Sequence, residues 1–532
     1  LNRRAFVGAS LRASALAAAS TAVPRPLLAY FGTKGEAVPP IEDPRLQALA
    51  ARALDSARGA GATYADVRLT HTRTRRFFSL FVYDEEDMEV GVRAFVNGYW
   101  GFASGPVWSP DEMARLGREA VHQAKTNAQG ERRDTVLVQT PAVTGHWVMP
   151  VARDPLAISP FEIQDDLMSL EIFLHRTPDT GLHLNSAIAT VQDKAFASMD
   201  GSYCTQRLYQ TAGGFVVGIV VNKREGEFGL DCLSYSSLGW ELYSADTLPR
   251  IRHQSLRDEI RQRLEEAKED LRLPVKPVNV GRYDAVLDAV SVARMLDATL
   301  GRATELDRAF GFEANASGTS YLSDPVGMLG TQQIGAPLMT VTANRSEGGG
   351  AATVQWDDEG VAPDDFTLVK AGVLTDFQTT RESASWLKRD RSHGCANAPS
   401  AVYAPMPHVP NLMLAPGQNG GDFDALVSGT ADGIAIKGLS LEMDFQSAGG
   451  LGLGNMFQVK AGKRVAQLPA AGVLFRSTDL WKSLQAVGAE PHLRRFGLLG
   501  TKGEPPQTCA HSVTAAPAVI KGLTLIDSLR KA

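Results

Sequence analysis

Apolar residues recur every three or four positions in some stretches of this chain and every second position in others. Those two periods separate helices from strands. Pro44 to Arg58 carries Leu46, Leu49, Ala50, Ala53 and Leu54 on one face and predicts a helix that Gly59 to Gly61 ends. Ala65 to Thr70 alternates, Phe77 to Tyr83 is rich in aromatic residues, and Glu89 to Val96 runs into Asn97-Gly98, so all three read as strands. Asn-Gly between such runs is a hairpin signal, with Tyr99 to Ala103 as the returning strand. Ser109 as N-cap and Pro110 at the first helical position open a helix running to about Ala128. A further helix is predicted over Ile163 to Leu174, then a strand pair over Ala187–Ser198 and Cys204–Thr211. Leu256, Ile260, Leu264, Ala267 and Leu271 mark a helix over Ser255 to Leu271.

Pro274 and Pro277 close this half of the chain, and a domain boundary is expected near residue 275. Beyond it glycine is dense and turns recur at Glu347-Gly-Gly-Gly350, Asp358-Glu-Gly360, Ala371-Gly372, Ala431-Asp-Gly433 and Ala461-Gly462. Short strands at such spacing predict a sandwich or barrel-like domain. One helix, Ala289 to Leu300, interrupts it, with Val292, Met295, Leu296 and Thr299 on one face. The expected class is α+β: an N-terminal α/β domain with antiparallel strands and helices over residues 40–275, then a mainly β domain over residues 276–532.

Composition changes this picture little. The chain has 532 residues, 44% hydrophobic and 21% charged, which is ordinary globular usage. A formal net charge of −5 and short basic clusters only, such as Arg73-Thr-Arg75-Arg76 and Lys388-Arg389-Asp-Arg391, argue against a nucleic-acid partner. Cys204, Cys232, Cys395 and Cys509 are too scattered for a disulfide framework or a thiolate zinc site. No apolar run reaches the roughly 18 residues of a membrane span. The amino terminus adds a location. Asn2-Arg3-Arg4-Ala5-Phe6-Val7-Gly8, followed by alanine-rich sequence to Val23 and small residues at Ser20-Thr21-Ala22, resembles a twin-arginine export signal. Residues 1–35 are therefore expected to be a leader and the protein to be periplasmic or exported.

Four stretches in order carry a family likeness. They are Tyr64-Ala-Asp-Val-Arg-Leu with Val90 to Ala103, Phe196-Ala-Ser-Met-Asp-Gly-Ser-Tyr203, Ala303 to Ser320, and Asp357-Asp-Glu-Gly360 with Gly372 to Arg381. From about residue 45 to the C-terminus the chain resembles the TldD/PmbA family, historically called modulators of DNA gyrase and understood as metallopeptidases and their partners. The resemblance implies H-E-x-x-x-H on a helix just before Ala303, with two zinc-binding histidines, a glutamate base between them, and a cysteine ligand near the C-terminus. Here those six positions read Asp297, Ala298, Thr299, Leu300, Gly301 and Arg302, and the cysteine position falls on Leu499 or Gly500.

A catalytic zinc needs neutral nitrogen or thiolate donors, an open position for water, and a base. Asp297 is one carboxylate, Ala298 is no base, and Arg302 adds a permanent positive charge. No zinc or other cofactor is expected. Asp297 and Arg302 are expected to pair with each other or with nearby groups. Because i and i+5 do not share a straight helical face, the helix must break near Gly301 for them to meet each other. The ten histidines stand singly in sequence, the usual pattern of structural or surface histidines. His393 with Cys395, and more weakly His511 with Cys509, are the pairs from which a substitute site could be built. Glu305 and Asp307 read as supporting residues, and the glycines after Glu347 as turn formers that could also admit a peptide backbone.

The resemblance thus implies a metal-free subunit of a peptidase assembly acting on unfolded peptide. It would form a homo- or heterodimer with a family chain whose metal motif is intact. The alternatives are an active peptidase using an unrecognised site, and a periplasmic peptide-binding or scaffold protein.

Overall fold

A computed structural model describes residues 39–78, 81–129 and 135–529; the twin-arginine-like stretch lies outside them. Helix α1 (Pro44–Ala60) starts where Asp43 accepts the Arg45 N–H at 2.9 Å and stops at Gly61, whose φ of +100° suits glycine. Strands β1 (Tyr64–Phe78), β2 (Phe81–Val96) and β3 (Tyr99–Gly105) follow, then helix α2 (Pro110–Asn127), capped by Ser109 as expected. Asn97 and Gly98 take φ of +51° and +86°, the geometry that matches a two-residue hairpin to strand twist. The aromatic run Phe77 to Tyr83 is not one strand. It spans the end of β1 and the start of β2, which pair at Phe78 and Phe81. Its aromatic rings signalled strand but masked the reversal.

Next come β4 (Thr144–Val148), α3 (Pro160–His175), β5 (Thr180–Ser198), β6 (Tyr203–Val221), β7 (Arg224–Gly229) and α4 (Leu256–Arg272). The strands form one seven-stranded sheet ordered β3-β2-β1-β5-β6-β4, with β7 on β6. Ala65, Val67 and Leu69 of β1 point into a core under α1 and α2. The alternate residues Asp66, Arg68 and Thr70 are buried too, on the other face, because a strand alternates its side chains. There Arg93 joins Asp66 at 2.6 Å to Glu359 at 3.2 Å, Lys194 meets Asp358 at 2.6 Å, and Arg381 reaches Asp200 at 2.9 Å. The Asp357–Gly360 segment therefore bridges this sheet to the second half of the chain. A Cβ on Gly360 would come within 2.4 Å of the Phe196 ring, so two of the family-like stretches are in direct contact.

The second half holds β8 (Gly281–Leu287), helix α5 (Ala289–Leu296), β9 (Val341–Asn344), β10 (Phe366–Lys370), β11 (Val373–Leu374), β12 (Ala396–Asn397), β13 (Met406–Pro407) and β14 (Asn411–Leu414). After these come β15 (Asp432–Met443), β16 (Gly449–Lys460), β17 (Lys463–Gln467), β18 (Ala471–Arg476), β19 (Leu484–Val487), β20 (Arg494–Lys502), β21 (Gln507–Ala515) and β22 (Ala518–Asp527). The order β15-β8-β22-β18-β16 closes on itself through the β15–β16 pairing and makes a small barrel. A six-stranded sheet, β11-β10-β9-β14-β21-β20, stands beside it. The molecule is α+β with a strand-rich C-terminal region, as the chain's patterning predicts. One apolar core runs through barrel, sheet and α5, taking in Leu296, Leu300, Leu412, Val513 and Ile520.

Candidate functional site

Helix α5 leaves the barrel strand β8 through an Asp288 cap, whose carboxylate accepts the Ser291 N–H at 2.9 Å, and packs against β15, β20 and β21. The sequence predicts helix to Leu300. The α-helix instead ends at Leu296, and Asp297–Gly301 widens into a π-turn in which the Arg302 N–H reaches the Asp297 carbonyl at 3.1 Å. The wider turn has specific supports. Thr299 donates to the Met295 carbonyl at 2.6 Å and accepts from the Trp481 indole at 2.8 Å. Gln378 donates to the Gly301 carbonyl at 2.6 Å and to the Thr304 hydroxyl at 2.8 Å. A Cβ on Gly301 would lie 2.9 Å from Asp297 Oδ1 and 3.1 Å from Leu412, so glycine is needed there for close approach. Such π-turns often mark functional positions in helices.

The turn directs Asp297 inward to 7% exposure, where its Oδ1 meets His511 Nε2 at 2.8 Å. Burial alone would raise the Asp297 carboxyl. The His511 ring bonded to it, with Arg302 and Arg308 nearby, outweighs burial and holds it below the usual range. A carboxylate can only accept, so His511 Nε2 carries the shared proton. Of the two expected arrangements Asp297 takes the nearby group, His511, rather than Arg302, and the Arg302 guanidinium makes no hydrogen bond or ion pair among the described residues. Ala298, in the base position, is half-buried and offers no acid or base.

The hairpin of β20 and β21 decides the C-terminal position. Gly500 pairs with Cys509 and Leu498 with His511, so residues 498, 500, 502, 509 and 511 share one face. Gly500, Lys502, Cys509 and His511 of that face, with Thr501, line a small cleft open to solvent together with Arg302, Glu305, Arg308 and His408. Of the two candidate positions, Gly500 and not Leu499 lines the cleft. A Cβ there would lie 3.6 Å from His511 Cε1, so the imidazole sits between Asp297 and Gly500.

These residues do not fit a zinc centre of the family's kind. One ligand position is a carboxylate already bonded to His511, one has no side chain, and one is a guanidinium. Among the described residues, no three His, Cys, Asp or Glu side chains are grouped so as to hold a metal ion.

Glu305 and Asp307 belong to a closed network beside the cleft. Lys502 Nζ lies 2.9 Å from Asp307 and 3.4 Å from Glu305, and Arg308 lies 3.1 Å from Glu305. Glu313 accepts the Gly503 N–H at 3.0 Å. The other candidates lie apart from this cleft or are inert. Cys395 is fully buried and burial pushes its thiol up to about 12, while His393 pairs with Asp364 and Asp376 and stacks on Phe366 at 4.0 Å. Cys509 lines the cleft, but burial pushes it up to about 12 as well, so neither cysteine is an activated nucleophile. In the glycine loop, Glu347 is held by Arg250 and Arg495, and a Cβ on Gly350 would strike Asn411 at 2.4 Å. That close approach is internal to the fold.

Sequence reasoning missed the part played by His511 and His408. The signal was the turn Gly503-Glu-Pro-Pro506. Read as a hairpin loop, it places His511 on the same face as Gly500.

These features define a class: α+β proteins in which a small barrel, a neighbouring sheet and a helix ending in a π-turn enclose one small polar cleft. The model of the PmbA/TldA metallopeptidase C-terminal domain matches residues 280–526, and that of PmbA/TldA metallopeptidase domain 1 matches residues 82–124. The chain belongs to the TldD/PmbA family. It is 22% identical to a metalloprotease of Methanocaldococcus jannaschii over 410 residues, covering 75% of this chain and 79% of that one. It is 26% identical to a metalloprotease of Methanothermobacter thermautotrophicus over 421 residues, covering 77% and 80%. Among solved structures, a protein described as a modulator of DNA gyrase from Thermotoga maritima shares the fold with a TM-score of 0.68 at 15% identity, over 90% of this chain and all of that one (100%). TldE from Thermococcus kodakarensis does so at 0.65 and 11% identity, over 89% and 98%.

Proposed function

We propose that this chain is a metal-free, non-catalytic member of a peptidase assembly that acts on unfolded peptides. The observation that carries the reading is the Asp297–His511 pair at 2.8 Å, with Arg302 and Gly500 at the other two ligand positions. A protein side chain occupies the space between the first and third positions, and a permanent cation stands at the second. Loss of the glutamate base at Ala298 works in the same direction. In this reading the chain pairs with a family member whose metal motif is intact, supplying structure and peptide contact. It is exported by the twin-arginine route, which carries folded proteins.

The test is elemental analysis of the purified chain beside a cleavage assay on unfolded peptides. No stoichiometric zinc and no cleavage by the chain alone are expected. Zinc near one per chain, or cleavage lost on chelation, would refute the proposal. Co-purification from the native host tests the assembly: a metal-bearing family chain is expected to accompany this one.

A further inference from the structure

The cleft over the altered motif has an unbalanced chemistry. Its described lining residues include three permanent or strongly held cations, Arg302, Arg308 and Lys502, and one carboxylate, Glu305. Arg308 and Lys502 are taken up by Glu305 and Asp307. The half-buried Arg302 guanidinium makes no hydrogen bond or ion pair among the described residues and acts on Asp297 only through space. His408 lines the same cleft at 3% exposure, and its Nε2 is buried without a partner. Such a nitrogen is unusual in a folded protein and calls for an explanation. Burial, with Lys502, Arg345 and His511 nearby, keeps this imidazole neutral, so Nε2 can present one N–H.

Size and charge select the ligand. Whole small molecules need a far roomier pocket, whereas this cleft encloses space for little more than one water before it opens to solvent. It suits an end group entering from outside. Arg302 disfavours a cation. A planar group with two acceptor oxygens matches the guanidinium fork.

We infer that the cleft is a carboxylate-binding site, in which Arg302 clamps a carboxylate of a bound peptide and His408 Nε2–H donates to it. This rests on the proposed peptide-handling role. The carboxylate could be a peptide's C-terminus or an Asp or Glu side chain.

Fluorescence anisotropy on the full chain separates these sources. The probes are one N-terminally labelled apolar peptide as its free acid, the same peptide as its amide, and the amide with one central Glu. The free acid, the Glu-containing amide, or both should bind at least ~10-fold tighter than the plain amide, as expected for a charge-assisted pair. Arg302→Gln should abolish the preference, Arg302→Lys should restore part of it, and acetate should compete. Arg302 makes no hydrogen bond among the described residues and supports Asp297 only through space, so Arg302→Lys should keep the wild-type melting temperature and Arg302→Gln should lower it only slightly. The inference is overturned by equal binding of all three peptides, or by a preference that survives Arg302→Gln. Mass spectrometry of the same samples reads the parent proposal separately: cleaved peptide defeats the non-catalytic role and leaves the carboxylate preference standing or falling on its own.

Discussion

Two adjacent stretches of this chain bury charge in different ways. In the flank after Ala303, charges close on one another: Lys502 bridges Asp307 and Glu305, Arg308 caps Glu305, and Glu313 ties down Gly503. Burial works to lower the Lys502 ammonium, but three carboxylates outweigh it and hold it above its usual range. In the motif just before, Asp297 has found a partner from β21, while Arg302 is left unpaired at the cleft. The flank has the economy of a structural network, since burying an ion is tolerable only when it is paired and hydrogen-bonded. The motif does not. The difference teaches that the flank closes its own charges while the motif leaves the Arg302 cation facing the cleft.

The sharpest way to break this contrast is Lys502→Met, which leaves Asp307 and Glu305 buried without their cation. Chemical denaturation should show a loss of about 3–5 kcal/mol. A loss below ~1 kcal/mol would mean that the flank is no more structural than the motif. Asp297→Ala comes next, at about 1–3 kcal/mol, because it strips the acceptor from a buried His511 ring. Its pH dependence has a definite sign. A carboxyl held below its unfolded value of about 3.9 contributes stability that is present above that pH and lost as pH falls through the lower folded value. The wild-type advantage over Asp297→Ala should therefore shrink only below about pH 4 in acid unfolding curves.

The two glycines of the site offer a finer comparison. Gly301→Ala should cost about 1–3 kcal/mol through overpacking against Asp297 and Leu412. Gly500→Ala, with only ordinary contact at 3.6 Å, should stay within about 0.5 kcal/mol. Thermal melts of the two would read the difference directly. The smallest effect is expected of Arg302→Gln, also within about 0.5 kcal/mol in a melt, because only its through-space support of Asp297 and no hydrogen bond is lost. A large loss there would reveal that Arg302 is structural after all.

Much of this was legible in the chain itself. Helical periodicity found α1, α2, α3 and α4, because each buries one stripe against a sheet. The Asn97-Gly98 hairpin was readable from its two residues alone. That positions 297, 298 and 302 carry Asp, Ala and Arg was visible too, since side-chain identity is local information. What failed were features set by partners distant in sequence. The π-turn depends on Trp481 and Gln378 bonding into Asp297–Gly301, and no helical pattern encodes that. The partner of Asp297 lies 214 residues away, on a strand whose register against β20 also selects Gly500 over Leu499. Sequence alone determined which chemistry was absent from the motif. Only the tertiary structure decided what replaced it, because a buried charge takes whatever partner the packing brings within hydrogen-bond reach.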